Sequence, residues 1–118
     1  MKYACLVYVE FPKLLALSPA EGQKLTDDSM ENDAELTRRG HNIMAQALQE
    51  PSTAVTIRVR NGKMSSTDGP FAETKEELAG FCLIEAADLN EAMQLAAGMP
   101  MARIGSIEVR PFFQLVHS

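Results

Sequence analysis

The amino-acid sequence predicts a single α+β domain in which two helices cover one face of a four-stranded antiparallel sheet. Three observations predict it. Residues 2–9 (KYACLVYV) and 79–86 (AGFCLIEA) are apolar at nearly every position, the mark of strands covered on both faces. Ser18-Pro19-Ala20-Glu21 and Asp88-Leu89-Asn90-Glu91 both read as helix-opening capping boxes. Residues 54–60 and 106–110 alternate apolar and polar, as strands with one buried face do.

In chain order, residues 2–9 form the first strand, which Phe11 and Pro12 end. A helix runs from about Pro19 to Arg39, with Gly40 placed to stop it. This helix is unusually polar. Leu25 and Leu36 share a stripe, but Ser29 and Asn32 fall between them, and Met30, Asp33, Ala34 and Thr37 line a neighbouring stripe. Two readings follow: a loosely packed, solvated helix, or one whose Ser29 and Asp33 face a partly wet cavity. Residues 43–48 (IMAQAL) read as a short strand or an extended arm. In residues 54–60, Val55, Ile57 and Val59 point to a buried face, and Asn61-Gly62 turns the chain back into a short arm at 63–67. Asp68-Gly69-Pro70-Phe71 is a turn by composition, and AETKEE after it has the makings of a helical turn. After the strand at 79–86, the second helix places Leu89, Ala92, Met93 and Ala96 on one face and ends at Gly98 and Pro100. In the last strand, 106–110, Ile107 and Val109 point inward and Pro111 closes it. The tail FFQLVHS keeps three large apolar residues in need of a partner surface. The order is β-α-β-β-α-β with an extra short hairpin arm, the ferredoxin-like arrangement.

The totals narrow the function. The 118 residues make one domain, 1–118, long enough for a core without metal or disulfide staples. A net charge of −5 with no basic tract argues against nucleic acid and anionic membrane surfaces as partners. No apolar run approaches the ~20 residues of a membrane span, and MKYACLVYVE lacks a cleavage site and reads as a strand rather than a signal peptide. Cys5 and Cys82 lie in apolar runs, outside any metal-binding spacing, and read as buried reduced thiols suited to the cytoplasm. No Gly-rich phosphate loop, nucleophile elbow or metal cluster is present, so no cofactor is expected.

Assembly follows from the strands. Two helices shelter one sheet face, yet the two central strands are apolar above and below. A second apolar face of several hundred square ångströms marks an interface, and a homodimer packed sheet to sheet as an α+β barrel is expected. The competing arrangement folds the tail and the hairpin arm over that face within one chain.

The segment Asp68 to Glu76 (DGPFAETKE) and the ending Gly105 to Pro111 (GSIEVRP) carry a closer likeness. With the flanking sequence from MKYACLVYV onward, they resemble the YCII-related family, in particular its DGPF branch. The resemblance implies a dimeric ferredoxin-like α+β barrel. Some members of the wider family carry a His on the first helix and an Asp near the end of the second. Here those places hold Ser29 or Met30 and Met99 before Pro100, so that acid–base pair is absent. The resemblance also implies a link to extracytoplasmic-function sigma factors.

The candidate ligand-binding residues are Ser29, Asp33, Asp68, Lys75 and Arg110. Asp68 and Lys75 have a structural account as well. Asp68 bonds its own turn, Gly69 takes positive φ, Phe71 plugs the core and Lys75 pairs with a carboxylate. In the functional account Asp68 and Glu76 are pocket groups, and Lys75 or Arg110 holds an anionic ligand. A carboxylate beside a cation keeps a low pKa, which suits binding better than general-base work. His41, at the helix end, reads as a dipole partner, and His117 as solvated. Met44, Met93, Met99 and Met101 line an adaptable cavity or fill the core. Glu108 and Arg110, on the outward side of the last strand, are placed to pair. The favoured reading is a small-molecule-binding homodimer, with turnover of a small polar or carbonyl substrate left open. The alternatives are a protein-interaction or regulatory module tied to a sigma factor, and a structural dimer.

Overall fold

The computed structural model describes residues 1–115. Its elements are β1 (Lys2–Val9), α1 (Phe11–Leu15), α2 (Pro19–Arg38), β2 (Asn42–Ala47), β3 (Val55–Arg60), β4 (Lys63–Asp68), β5 (Glu77–Glu85), α3 (Leu89–Ala97) and β6 (Ser106–Pro111), with 3₁₀ turns at Pro51–Thr53 and Pro100–Arg103. Four strands form one antiparallel sheet in the order β2-β5-β1-β6. This is the ferredoxin-like order, and the two doubly apolar strands are its centre, as expected.

Strand alternation sorts the side chains between two faces. On β1, Tyr3, Cys5, Val7 and Val9 are buried beneath the helices, while Ala4, Leu6 and Tyr8 are only half-buried on the other face. The register sets Cys5 opposite Cys82 and Val109, and Leu6 opposite Phe81 and Glu108. The uncovered face therefore carries Leu6, Tyr8, Phe81 and Leu83 at its middle. One extra residue in β5, between the partners of Val7 and Tyr8, lets Ala79 turn inward beside Val9 and Phe11.

Local chemistry fixes the helix ends. The Glu21 amide donates to Ser18 Oγ at 3.1 Å, and the Ser18 amide donates to Glu21 Oε1 at 2.9 Å, so the first capping box is complete. At the other end of α2, Gly40 takes φ +79°. The Gly40 and His41 amides then return to the carbonyls of Thr37 and Leu36, a Schellman closure. The His41 ring donates from Nδ1 to the Glu85 carbonyl at 2.8 Å and so ties the helix exit to β5. At α3, Asp88 accepts from the Glu91 amide, but Glu91 reaches the Ala87 amide instead of the cap residue.

The main core lies under α3 and the end of α2, where Tyr3, Leu36, Ile84, Ala92, Leu95 and Met99 pack together. Leu36 is the one buried residue of α2. Gly105 lets β6 start against β1: a Cβ there would sit 2.1 Å from the Tyr8 carbonyl oxygen.

Several expectations are corrected. Residues 43–48, open between a short strand and an extended arm, fall in the edge strand β2. β3 and β4 instead form a separate two-stranded arm, and the side chains expected in its buried face are bare: Val55, Ile57 and Val59 are 53–59% exposed. AETKEE makes no helical turn, and Phe71 does not plug the core but is 80% exposed. On α3, Leu89 and Met93 face outward, and Leu95 takes the inner place beside Ala92 and Ala96. Phe11 begins a one-turn helix rather than only ending a strand. Pro111 is the last residue of β6, as expected. Neither the arm nor residues 112–115 fold over the open sheet face. The arm pairs with itself, and Phe113 and Leu115 stay exposed. The outline is accordingly flat and extended, 49 × 47 × 19 Å, with a radius of gyration of 16.4 Å. A compact chain of this length would have roughly 13–14 Å. His117 lies outside the described residues. Among the described residues, no helix is long and apolar enough to cross a membrane.

Candidate ligand-binding cleft

The polar character of α2 has a structural consequence. Its first four turns carry no buried side chain, so the helix stands off the sheet instead of sealing against it. The sheet below is small at the matching positions: Ala45 and Ala47 on β2, Ala79 and Gly80 on β5. Polar residues above and minimal side chains below leave a cleft of about 390 Å³, within the usual size of small-molecule sites. Gly80 shapes the floor, since a Cβ there would meet the Gln46 carbonyl oxygen at 2.7 Å.

Ser29 and Asp33 both line this cleft, as the cavity reading of α2 expects. Thr26 and Asn32 add further polar groups, and Cys82 lies in the wall. The Thr26 hydroxyl is spent on the Gly22 carbonyl at 3.1 Å. Burial raises the Asp33 carboxyl above the ordinary Asp value. Burial, with the Asp33 charge and Cys5 adding to it, pushes the Cys82 thiol up to about 12. A thiol held there is neutral and a poor nucleophile at neutral pH. Cys5, up to about 11 from burial alone, is equally inert. Met99 and Met101 close one end of the cleft, whereas Met44 and Met93 are exposed elsewhere.

The other three candidate residues lie apart from the cleft. Asp68 ends β4 at the base of the arm, exposed. The turn there is held by main-chain and Thr56 contacts rather than by its carboxylate: the Gly69 amide donates to Ala54, and Thr56 Oγ1 donates to the Gly69 carbonyl. Gly69 does take positive φ, +98°. Lys75 Nζ approaches Glu10 Oε1 at 3.4 Å, where Lys13 also binds. The Lys13 hydrogen bond is the larger cause, ahead of Lys75, of a Glu10 pKa below the ordinary value. Arg110 pairs with Glu108 at 2.9 Å on the uncovered sheet face, across from Ala4. The anion-holding arrangement of Lys75 or Arg110 with Asp68 is thus not assembled within one chain.

Thr26 was not singled out from sequence. The signal available was the alternation of Ala45 and Ala47 on the edge strand NIMAQA, which leaves room wherever a polar helix passes over it.

Comparison with known proteins agrees with this architecture. The model of the YCII-related domain matches residues 1–116. The uncharacterized protein R00369 of Rhizobium meliloti (strain 1021) is 36% identical over 113 residues, which is 94% of this chain and 91% of that protein.

Proposed function

This chain belongs to the YCII-related family, and we propose that it is a small-molecule-binding protein that works as a homodimer, with the cleft under α2 as its site. The observation that carries the reading is the cleft itself. A helix that gives up core packing over most of its length, above a floor of alanine and glycine, forgoes stability that Leu or Ile would supply. Its walls are mainly apolar, with a few polar groups converging, the composition of a ligand site. Binding is favoured over nucleophilic catalysis because the Cys82 thiol is held neutral.

The homodimer rests on two unpartnered surfaces. The middle of the open sheet face is apolar, and the arm presents Val55, Ile57, Val59 and Met64 to solvent. An isolated two-stranded ribbon is marginal in water, so a second copy is its natural support. The Asp68–Glu76 segment supports assignment to the DGPF branch of the family. Its two reduced thiols, facing each other across β1 and β5, suit a cytoplasmic setting.

Thermal-shift screening of the intact protein against small metabolites tests the reading. Stabilisation by a compound, lost when Ala45→Leu fills the cleft floor, supports it; a screen in which no compound stabilises the protein counts against it. A second reading, a protein contact through the DGPF loop to a sigma-factor-related regulator, draws on one observation, the 80% exposed Phe71. Phe71→Ala, which leaves the cleft alone, would abolish capture of such a regulator if that reading holds.

A further inference from the structure

The polar groups of the cleft are unbalanced. Of its lining residues only Asp33 and Cys82 are ionisable; none is Lys, Arg or His. Among the described residues the Asp33 carboxylate makes no hydrogen bond and no ion pair. Lys24 and Arg103 instead converge on Asp28, at 3.2 and 3.7 Å, and Lys13 and Lys75 on Glu10. Thr26 has already donated its hydroxyl proton to Gly22, which leaves its oxygen as an acceptor. Ser29 and Asn32 can accept as well as donate. The cleft therefore offers one unpaired negative charge, no positive one and polar groups able to accept, with apolar walls around them.

We infer that the cleft takes a small amphipathic cation: an apolar body among Phe11, Leu14, Met99 and Met101, with a protonated amine against Asp33. This rests on the cleft being a ligand site and adds the class of ligand. An anion would enter against an unpaired carboxylate with no cation to meet it. A neutral ligand would leave the Asp33 charge half-buried and unpaired, at continuing cost. An ammonium pairs that charge and donates up to three hydrogen bonds to the acceptors gathered there.

The test uses three probes of one skeleton: 2-phenylethylamine as its cation, 2-phenylethanol, and 3-phenylpropionate. Amide shifts of α2 and β5 in the labelled full-length protein report binding in the cleft. The expected order is amine first, with Kd about tenfold or more below that of the alcohol, and the carboxylate last. Asp33→Asn should remove the amine's advantage over the alcohol. Amine and carboxylate binding alike, or an amine preference that survives in Asp33→Asn, overturns the inference, yet alcohol binding would keep the ligand site. No cleft shift with any probe overturns both. The order of the three probes on the unmodified protein decides the question even if the variant does not fold.

Discussion

Replacing Ile57 and Val59 together by Ser examines the arm most sharply. These side chains are 53% and 59% exposed in the single chain, and their neighbours Val55 and Met64 are 58% and 69% exposed. Fully burying such a side chain is worth about 1.5–3 kcal/mol, so each half-exposed one has about 1 kcal/mol still to gain on association. The double replacement removes about 2 kcal/mol per arm, and a homodimer has two arms. The dimer dissociation constant should rise roughly 10²–10³-fold. The monomer should scarcely notice, because surface substitutions of exposed side chains usually stay within about 0.5 kcal/mol. Sedimentation equilibrium over a concentration series gives the first number, and urea unfolding at a concentration where both proteins are monomeric gives the second. A dissociation constant within about threefold of the original would refute the reasoning, since a stripe buried at an interface cannot lose half its apolar surface so cheaply. Equal loss in monomer and dimer would refute it differently, by placing the stripe in the fold of one chain.

Other consequences are more local. Gly105→Ala puts a Cβ 2.1 Å from the Tyr8 carbonyl oxygen, so urea unfolding should show a loss of about 1–3 kcal/mol or more, whereas Gly22→Ala, with open space around it in α2, should gain about 0.5–1 kcal/mol. Because burial raises the Asp33 pKa, the folded chain holds a proton there that the unfolded chain has released. Stability is therefore lost as pH rises from the ordinary Asp value, 3.8, through the raised one, and the penalty persists at neutral pH. Asp33→Asn should accordingly be more stable than the unmodified protein at pH 7 and no more stable at pH 3, as compared by urea unfolding. With Cys5 at about 11 and Cys82 at about 12, iodoacetamide at pH 8 should alkylate the native protein at least ~10²-fold more slowly than the urea-unfolded chain.

The parts of this fold that were legible in the sequence are those whose burial lies within the chain. β1 and β5 are apolar on both faces because they are central, and no neighbouring context was needed to see it. Ser18 and Gly40 bracket α2 because capping is local chemistry. The arm misled for an instructive reason. Its alternation is that of a strand with a covered face, but nothing among the described residues covers it, so pattern alone gave it a burial that one chain does not supply. α3 misled because nine residues rich in Ala, Leu and Met offer more than one apolar stripe, and the register against β1 and β6 chose Leu95 over Leu89 and Met93. Of the site, Ser29 and Asp33 were visible as polar breaks at helical spacing. Asp68, Lys75 and Arg110 look like a set in sequence, but Lys75 meets Glu10 and Arg110 meets Glu108, partners that the topology assigns. Gly105 could be quoted as part of a motif, but its reason, the approach of the Tyr8 carbonyl, belongs to the sheet.

Most of the account depends on a second copy covering what one chain leaves bare. Sedimentation velocity of the unmodified protein at micromolar concentration measures this directly. A single species at twice the 12.9 kDa protomer mass is predicted. A single species at the protomer mass would contradict it, with Leu6, Phe81, Ile57 and Val59 then facing water in the working molecule.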